Sequence, residues 1–374
     1  METPKQITTI QAAAILISTI IGVGVLPLPL FAVRAADTGA ILVTMIAILI
    51  ASASLWLITK LGQRFPSLTL VQYSDLLIGK ALSRTTIMLI VLFFALLTSL
   101  AAREFGEVVI TSVLKKTPLE ITVLAMLLLA TISARNDLTT FTYIHHFYLP
   151  LIVFPAILIV ALSLKNAQLV YMQPIWGSGP IPQMLPGILT IAALFQGSFV
   201  YTMVIPHLRN PARAMKGSFW GMLIAGGLYL SIVVAAVGVF GTEETKKLLW
   251  PTLELAKTTT LPGNILERLD AAFLAVWVTA VFTTLFSSYY FTVHTLSKVV
   301  GLRDHKLLSL FILPTLFAMA MYPENILDMY EIVAVVGQLG LILTIGYPLL
   351  LLIIAVLRKK RGPSHEQKQG NPAT

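Results

Sequence analysis

Ten apolar runs follow one another along the chain, at about residues 7–33, 38–59, 84–112, 118–133, 138–163, 187–208, 216–240, 268–299, 305–321 and 328–357. A helix rises about 1.5 Å per residue, so about 20 apolar residues cover the hydrocarbon core of a bilayer. Inside lipid every backbone N–H and C=O must find a partner within the protein, and for unbroken runs of this length only helices provide one. The chain therefore reads as an all-α, polytopic membrane protein with about ten transmembrane helices. Its 374 residues are 57% hydrophobic and 11% charged, against about 45–50% and about 25% in soluble domains. A soluble multi-domain enzyme is excluded. So is a nucleic-acid partner, because a net charge of +9 in so apolar a chain reflects basic cytoplasmic loops. With no cysteine present, disulfides and thiolate metal sites are excluded too.

The distribution of Lys and Arg sets the expected orientation. With both termini in the cytoplasm, 17 basic residues fall inside and 8 outside, and Arg103 lies within a span. The reverse orientation inverts that bias. Residues 64–82 carry apolar side chains at helical spacing and read either as an interfacial helix or as a loop helix packed under the bundle. The polar tail 358–374 reads as disordered, its run Arg358–Arg361 holding to anionic lipid heads. Residues 1–357 then form a single transmembrane domain, with no cofactor motif and no metal-ligand spacing among the histidines.

Two runs are interrupted at their middles. In the first, Gly22-Val23-Gly24 precedes Pro27 and Pro29; in the sixth, Gln196-Gly197-Ser198 sits between Phe195 and Phe199. First and sixth of ten divide the chain into two units of five spans, 7–163 and 187–357, and an odd count forces the second to lie inverted. Interruptions at matching positions of two inverted units point to a transporter-type binding site with broken helices 1 and 6. Unwound backbone strands polar groups that a polar ligand can satisfy. The amides after the first break suit a carboxylate, and the carbonyl ends before Gly22 and Gly197 suit an ammonium. The alternative is that these glycines only let helices pack closely.

Polar groups at membrane depth are further candidates. Arg103 and Glu107 share a helix face, with Glu104 beside them, as vestibule charges or a structural ion pair. His145 and His146 are candidate proton relays, or hydrogen-bonding partners of a neighbouring helix. Thr98 and Ser99 in span three, and Thr284, Ser287 and Ser288 in span eight, present hydroxyls that line a cavity or bond their own helices.

Three stretches then carry a family resemblance. ITTIQ…IIGVGVLPLP near the start resembles the first helix of the amino acid–polyamine–organocation transporter superfamily, and HLRNPARAMKGSFWG resembles its loop after helix six. WPTLELAKTTTLPGNILERLDAAFLAVW (250–277) resembles the outer loop and eighth-helix entry of spore germination receptor B subunits. The resemblance implies a germinant sensor of the spore inner membrane that acts with A and C subunits and binds a small amino acid among helices one, three, six and eight. By motif position it assigns Gly22, Val23 and Gly24 to the first break and Gln196, Gly197 and Ser198 to the second. The reading FQGSF leaves Phe195 or Phe199 as the gate residue. From the residues alone a proton-coupled amino acid symporter is preferred; the resemblance reverses that order. The apolar Ile21, Val23 and Val25, with no free charge expected opposite them, suggest a small neutral side chain on the ligand.

Overall fold

The computed structural model describes residues 7–177, 180–259 and 269–362. Its α-helices run in the order α1 (Thr9–Ile20), α2 (Leu28–Ala36), α3 (Ala40–Arg64), α4 (Leu70–Ile78), α5 (Lys80–Ser112), α6 (Leu119–Ala134), α7 (Leu138–Ser163), α8 (Ile181–Ala193), α9 (Tyr201–Val204), α10 (Ala214–Thr245), α11 (Pro251–Thr258), α12 (Leu269–Val300), α13 (Lys306–Ala320), α14 (Ile326–Leu341) and α15 (Tyr347–Leu357). Among the described residues there is no strand beyond a single bridge.

Each of the ten expected apolar runs is helical over most of its described residues. Among the described residues six helical stretches are long and apolar enough to cross a membrane, and the pair Pro182–Ala193 and Gln196–His207, bent by 46°, makes a seventh if taken as one span. Thr9–Ile20, Leu119–Ala134 and Lys306–Ala320 are shorter apolar helices. The 12 residues of α1 rise only about 18 Å, so the first crossing is completed by α2 beyond the break. A 3₁₀ turn at Asp37–Gly39 then leads directly into α3. The last span is α14 and α15, joined by a π-turn at Ile342–Gly346.

The start of the first span lies beside the end of the sixth. Ile7 N–H donates to His207 O (3.2 Å) and Arg209 N–H to Ile7 O (2.9 Å). The two broken spans therefore cross in opposite senses, as inverted units require. The same face collects the end of α3, where Gln63 donates to Ala212 O (2.9 Å).

Of the two readings of residues 64–82, the packed one is realised. Thr69 and Gln72 form a capping box that starts α4, which buries Leu70, Val71, Tyr73 and Leu77 and stacks Tyr73 on Phe65 at 5.6 Å. Two residues of the basic run after α15 are held against this helix, while Lys359 and Arg361 are exposed. Arg358 donates to Leu77 O (2.8 Å) and Lys360 to Leu76 O (2.9 Å). Arg64 closes the arrangement on Lys360 O (2.7 Å). Charged donors satisfy the helix-end carbonyls that no intrahelical amide can reach. Residues 363–374 of the expected disordered tail, and 260–268 of the stretch that resembles B subunits, lie outside the described residues.

Candidate functional site

The first break begins at Gly22 (φ −149°, ψ −128°), after which Val23–Val25 make a single 3₁₀ turn. Unwinding here releases carbonyls at a depth where an unpaired one costs several kcal/mol. Side chains from three other elements take them up. Thr283 donates to Ser18 O (2.8 Å), Thr284 to Thr19 O (2.9 Å) and Tyr229 to Ile20 O (2.6 Å). Trp277 Nε1 reaches Gly22 O (3.3 Å), and Thr252 reaches Val25 O (2.7 Å). Of the carbonyls expected to receive a ligand ammonium before Gly22, those of Ser18, Thr19 and Ile20 thus each accept a hydrogen bond from the protein itself. The amides behave differently: that of Gly22 faces the Tyr229 hydroxyl, while those of Val23 and Gly24 donate to no backbone carbonyl among the described residues.

A cavity of about 80 Å³ lies where the two breaks meet. Thr19, Val23 and Gly24 border it from the first break, Gln196 and Gly197 from the second, Glu104 from α5 and Thr284 from α12. Gly337 and Tyr330 of α14, both outside the sequence expectations, also border it, and the rest of the lining is largely apolar. Gln196 anchors its Nε2 on Gly337 O (2.7 Å), while its buried Oε1 has no partner. Glu104 accepts a hydrogen bond from Tyr330 (3.2 Å), whose hydroxyl accepts one from Trp250 Nε1 (3.0 Å). The carboxyl group of Glu104, one of the expected vestibule residues, thus borders the cavity beside the first break.

Other expected residues lie apart from the cavity. Thr98 and Ser99 are buried but turn their hydroxyls onto Phe94 O and Ala95 O of their own helix (2.7 and 2.8 Å). In lipid this intrahelical bond satisfies a hydroxyl without any neighbour. Phe195 packs on Tyr229 (5.1 Å), and Phe199 on Phe94 and Phe291 (5.9 and 5.7 Å). Ser198 is buried within the second break, its amide on Phe195 O (3.0 Å).

The charges of α5 separate by face. Arg103 and Glu107 pair at 2.9 Å with both side chains largely buried, so they neutralise each other and leave Glu104 alone facing the cavity. Breaking such a pair strands a buried charge at a cost of about 3–5 kcal/mol, whereas replacing both partners with apolar residues is close to neutral. Arg103→Met should therefore lower the thermal unfolding midpoint sharply, and adding Glu107→Leu should restore most of the loss.

The two histidines also diverge. His145 is buried between Ser18 (Nδ1 to Oγ, 2.6 Å) and Ser287 (Nε2 to Oγ, 3.0 Å), and Ser287 continues to Thr19 at 2.6 Å. His146 lies on the exposed side of α7. Ser287 therefore serves this network rather than the cavity.

The comparisons with known proteins agree with this architecture. The spore permease family model, described as spore germination protein, matches residues 6–329. The chain belongs to that family. It is similar to spore germination protein YndE of Bacillus subtilis (strain 168), 26% identical over 359 residues, or 95% of this chain and 98% of that one. Spore germination protein A2 of the same organism is 26% identical over 365 residues, covering 96% and 98%. In fold the chain is similar to Mhp1, a nucleobase-cation-symport-1 family transporter in a closed conformation with bromovinylhydantoin bound. That match has a TM-score of 0.60 at 15% identity, over 91% of this chain and 78% of that one.

Proposed function

We propose that the protein is the germinant-sensing B subunit of a spore nutrient receptor and binds a small neutral amino acid between broken helices 1 and 6. One observation carries the reading: a germination-family chain encloses, at the junction of both breaks, a small cavity bordered by a carboxylate and an unpartnered amide oxygen. Drug-sized pockets run to about 300–1,000 Å³, so about 80 Å³ suits a solute of very few heavy atoms. The ammonium of an α-amino acid pairs with Glu104 and its carboxylate with the amides of Val23 and Gly24, a helix-start arrangement suited to anions. Little room remains for a side chain.

The orientation in this reading follows the basic residues: both termini face the cytoplasm, in the spore inner membrane, with the A and C subunits as partners. The units 7–163 and 187–357 are the moving parts. For ligand to drive them from 1:99 to 99:1, it must bind one arrangement about 5.5 kcal/mol better than the other.

A thermal-shift panel of the twenty amino acids against purified protein tests binding, since ligand at 100 times Kd adds about 2.7 kcal/mol. One or a few small neutral amino acids should raise the midpoint, and Glu104→Gln should abolish the rise. A flat panel overturns the reading. The likeness in fold to a symporter supports a proton-coupled amino acid symporter as a second reading. Gradient-driven accumulation of labelled amino acid in proteoliposomes holding this chain alone would decide for it.

A further inference from the structure

A second hollow among the described residues is larger than the cavity at the breaks. A groove of about 680 Å³ runs between α3 and α10, walled by Met45, Leu49, Met215, Met222 and Leu223, with Gly226 and Gly227 at its floor. Trp56 and Lys60 stand at one end. The Lys60 ammonium sits 5.8 Å from the Trp56 ring centre and makes no ion pair among the described residues. Arg213 and Lys216, both exposed, flank the start of α10. The turn carrying Arg213 is tied to α3 through Gln63, one helical turn beyond Lys60. The groove is apolar along its length and cationic at one end, and its walls are rich in flexible methionine, which adapts to an irregular occupant.

We infer that this groove is a specific site for an anionic phospholipid, with an acyl chain lying between α3 and α10 and the phosphate held by Lys60. Charge complementarity commits the occupant. A zwitterionic lipid fills the apolar part equally well, but its own ammonium offsets the attraction of its phosphate to the basic end, whereas one lysine near a membrane surface is worth about 1 kcal/mol toward an anionic head group. A transmembrane helix of another subunit would gain nothing from an unpaired lysine unless it carried its own acid.

Gly227 supplies a clean probe. A side chain added there meets nothing within 4 Å, so Gly227→Leu intrudes on the groove without disturbing the packing behind it. Native mass spectrometry of the full chain, equilibrated with equal phosphatidylglycerol and phosphatidylcholine, reads the occupant directly. The expected result is one retained phosphatidylglycerol with a preference of about fivefold, the equivalent of about 1 kcal/mol. Lys60→Ala should erase the preference and Gly227→Leu the adduct, with unfolding midpoints unchanged in phosphatidylcholine alone. Equal retention of both lipids by the unmodified protein overturns the inference. So does an adduct that survives Gly227→Leu. A chain that dimerises, and becomes monomeric on Gly227→Leu, overturns it in favour of a second copy.

Discussion

Gly22→Ala is expected to abolish the response to ligand and to destabilise the protein, even though it adds one methyl group. A Cβ at Gly22 would lie 2.0 Å from Thr284 Oγ1 and 2.6 Å from Thr284 Cβ. The Thr284 hydroxyl is engaged on Thr19 O at 2.9 Å, and no side-chain rotation moves its Cβ, so the contact cannot be relieved by swinging the side chain aside. Either α12 withdraws from the break or the break rewinds; overpacking of this kind costs about 1–3 kcal/mol. Both escapes also close or deform the cavity that Thr284 and Val23 border. The partner substitutions should rank in a definite order. Thr284→Ser keeps the offending oxygen and gives no relief, Thr284→Ala leaves the Cβ clash, and Thr284→Gly removes both. Gly24→Ala should be milder, since its Cβ meets the terminal methyl of Leu194 at 3.0 Å, the free end of a flexible side chain. Amino acid thermal shifts and unfolding midpoints across these variants measure both effects. A normal dose response from Gly22→Ala would sink the account of the first break.

Much of this geometry was legible in the chain because lipid leaves few options. Runs of about 20 apolar residues must be helices, and a Gly-Val-Gly triplet in one of them marks backbone that a side chain would block. The match of Gly22–Gly24 with Gln196–Ser198 followed from counting spans. Facing was less legible. Arg103, Glu104 and Glu107 crowd one stretch of α5, and a rotation of about 100° per residue decides which one meets the cavity. Nothing local fixes that rotation. Only the packing against α14, where Tyr330 donates to Glu104 at 3.2 Å, turns Glu104 inward while Arg103 and Glu107 pair with each other. Thr98 and Ser99 show the converse. A hydroxyl at membrane depth can bond its own helix, so depth alone is a weak sign of a binding surface. Carbonyl capture by Tyr229, Trp277 and Thr252 was least legible, because those residues lie more than 200 positions from the break they complete.

His145→Ala is expected to cost more stability than any other single polar deletion near the breaks, because the ring is a strut between two spans. Ser18 Oγ lies 2.7 Å from Ala14 O and has one proton, which it donates there; it must then accept from Nδ1–H of His145. Nε2 is left as an acceptor, so Ser287 donates to it, and Ser287 in turn accepts from Thr19. A single neutral tautomer satisfies every member of the chain. The chain also ends on the backbone carbonyl of Ala14, which cannot pass a proton onward. A relay needs two open ends, and this network opens at one, where Thr19 borders the cavity. Removing the imidazole orphans Ser18 and Ser287 at about 1–3 kcal/mol each and leaves a ring-sized hole beside Phe141 and Phe286, whose ring centres lie 4.4 and 5.7 Å from that of His145. His145 and Ser18 share one bond, so the double variant should deviate from additivity by about 0.5–3 kcal/mol. His146→Ala, on the exposed side of the same helix, should stay within about 0.5 kcal/mol. Unfolding midpoints of the four proteins, with ligand response at two pH values, separate the roles. A strut predicts a large loss of stability and strong coupling to Ser18. An unshifted midpoint in His145→Ala, with only the pH dependence of the response altered, would restore the relay and overturn the strut.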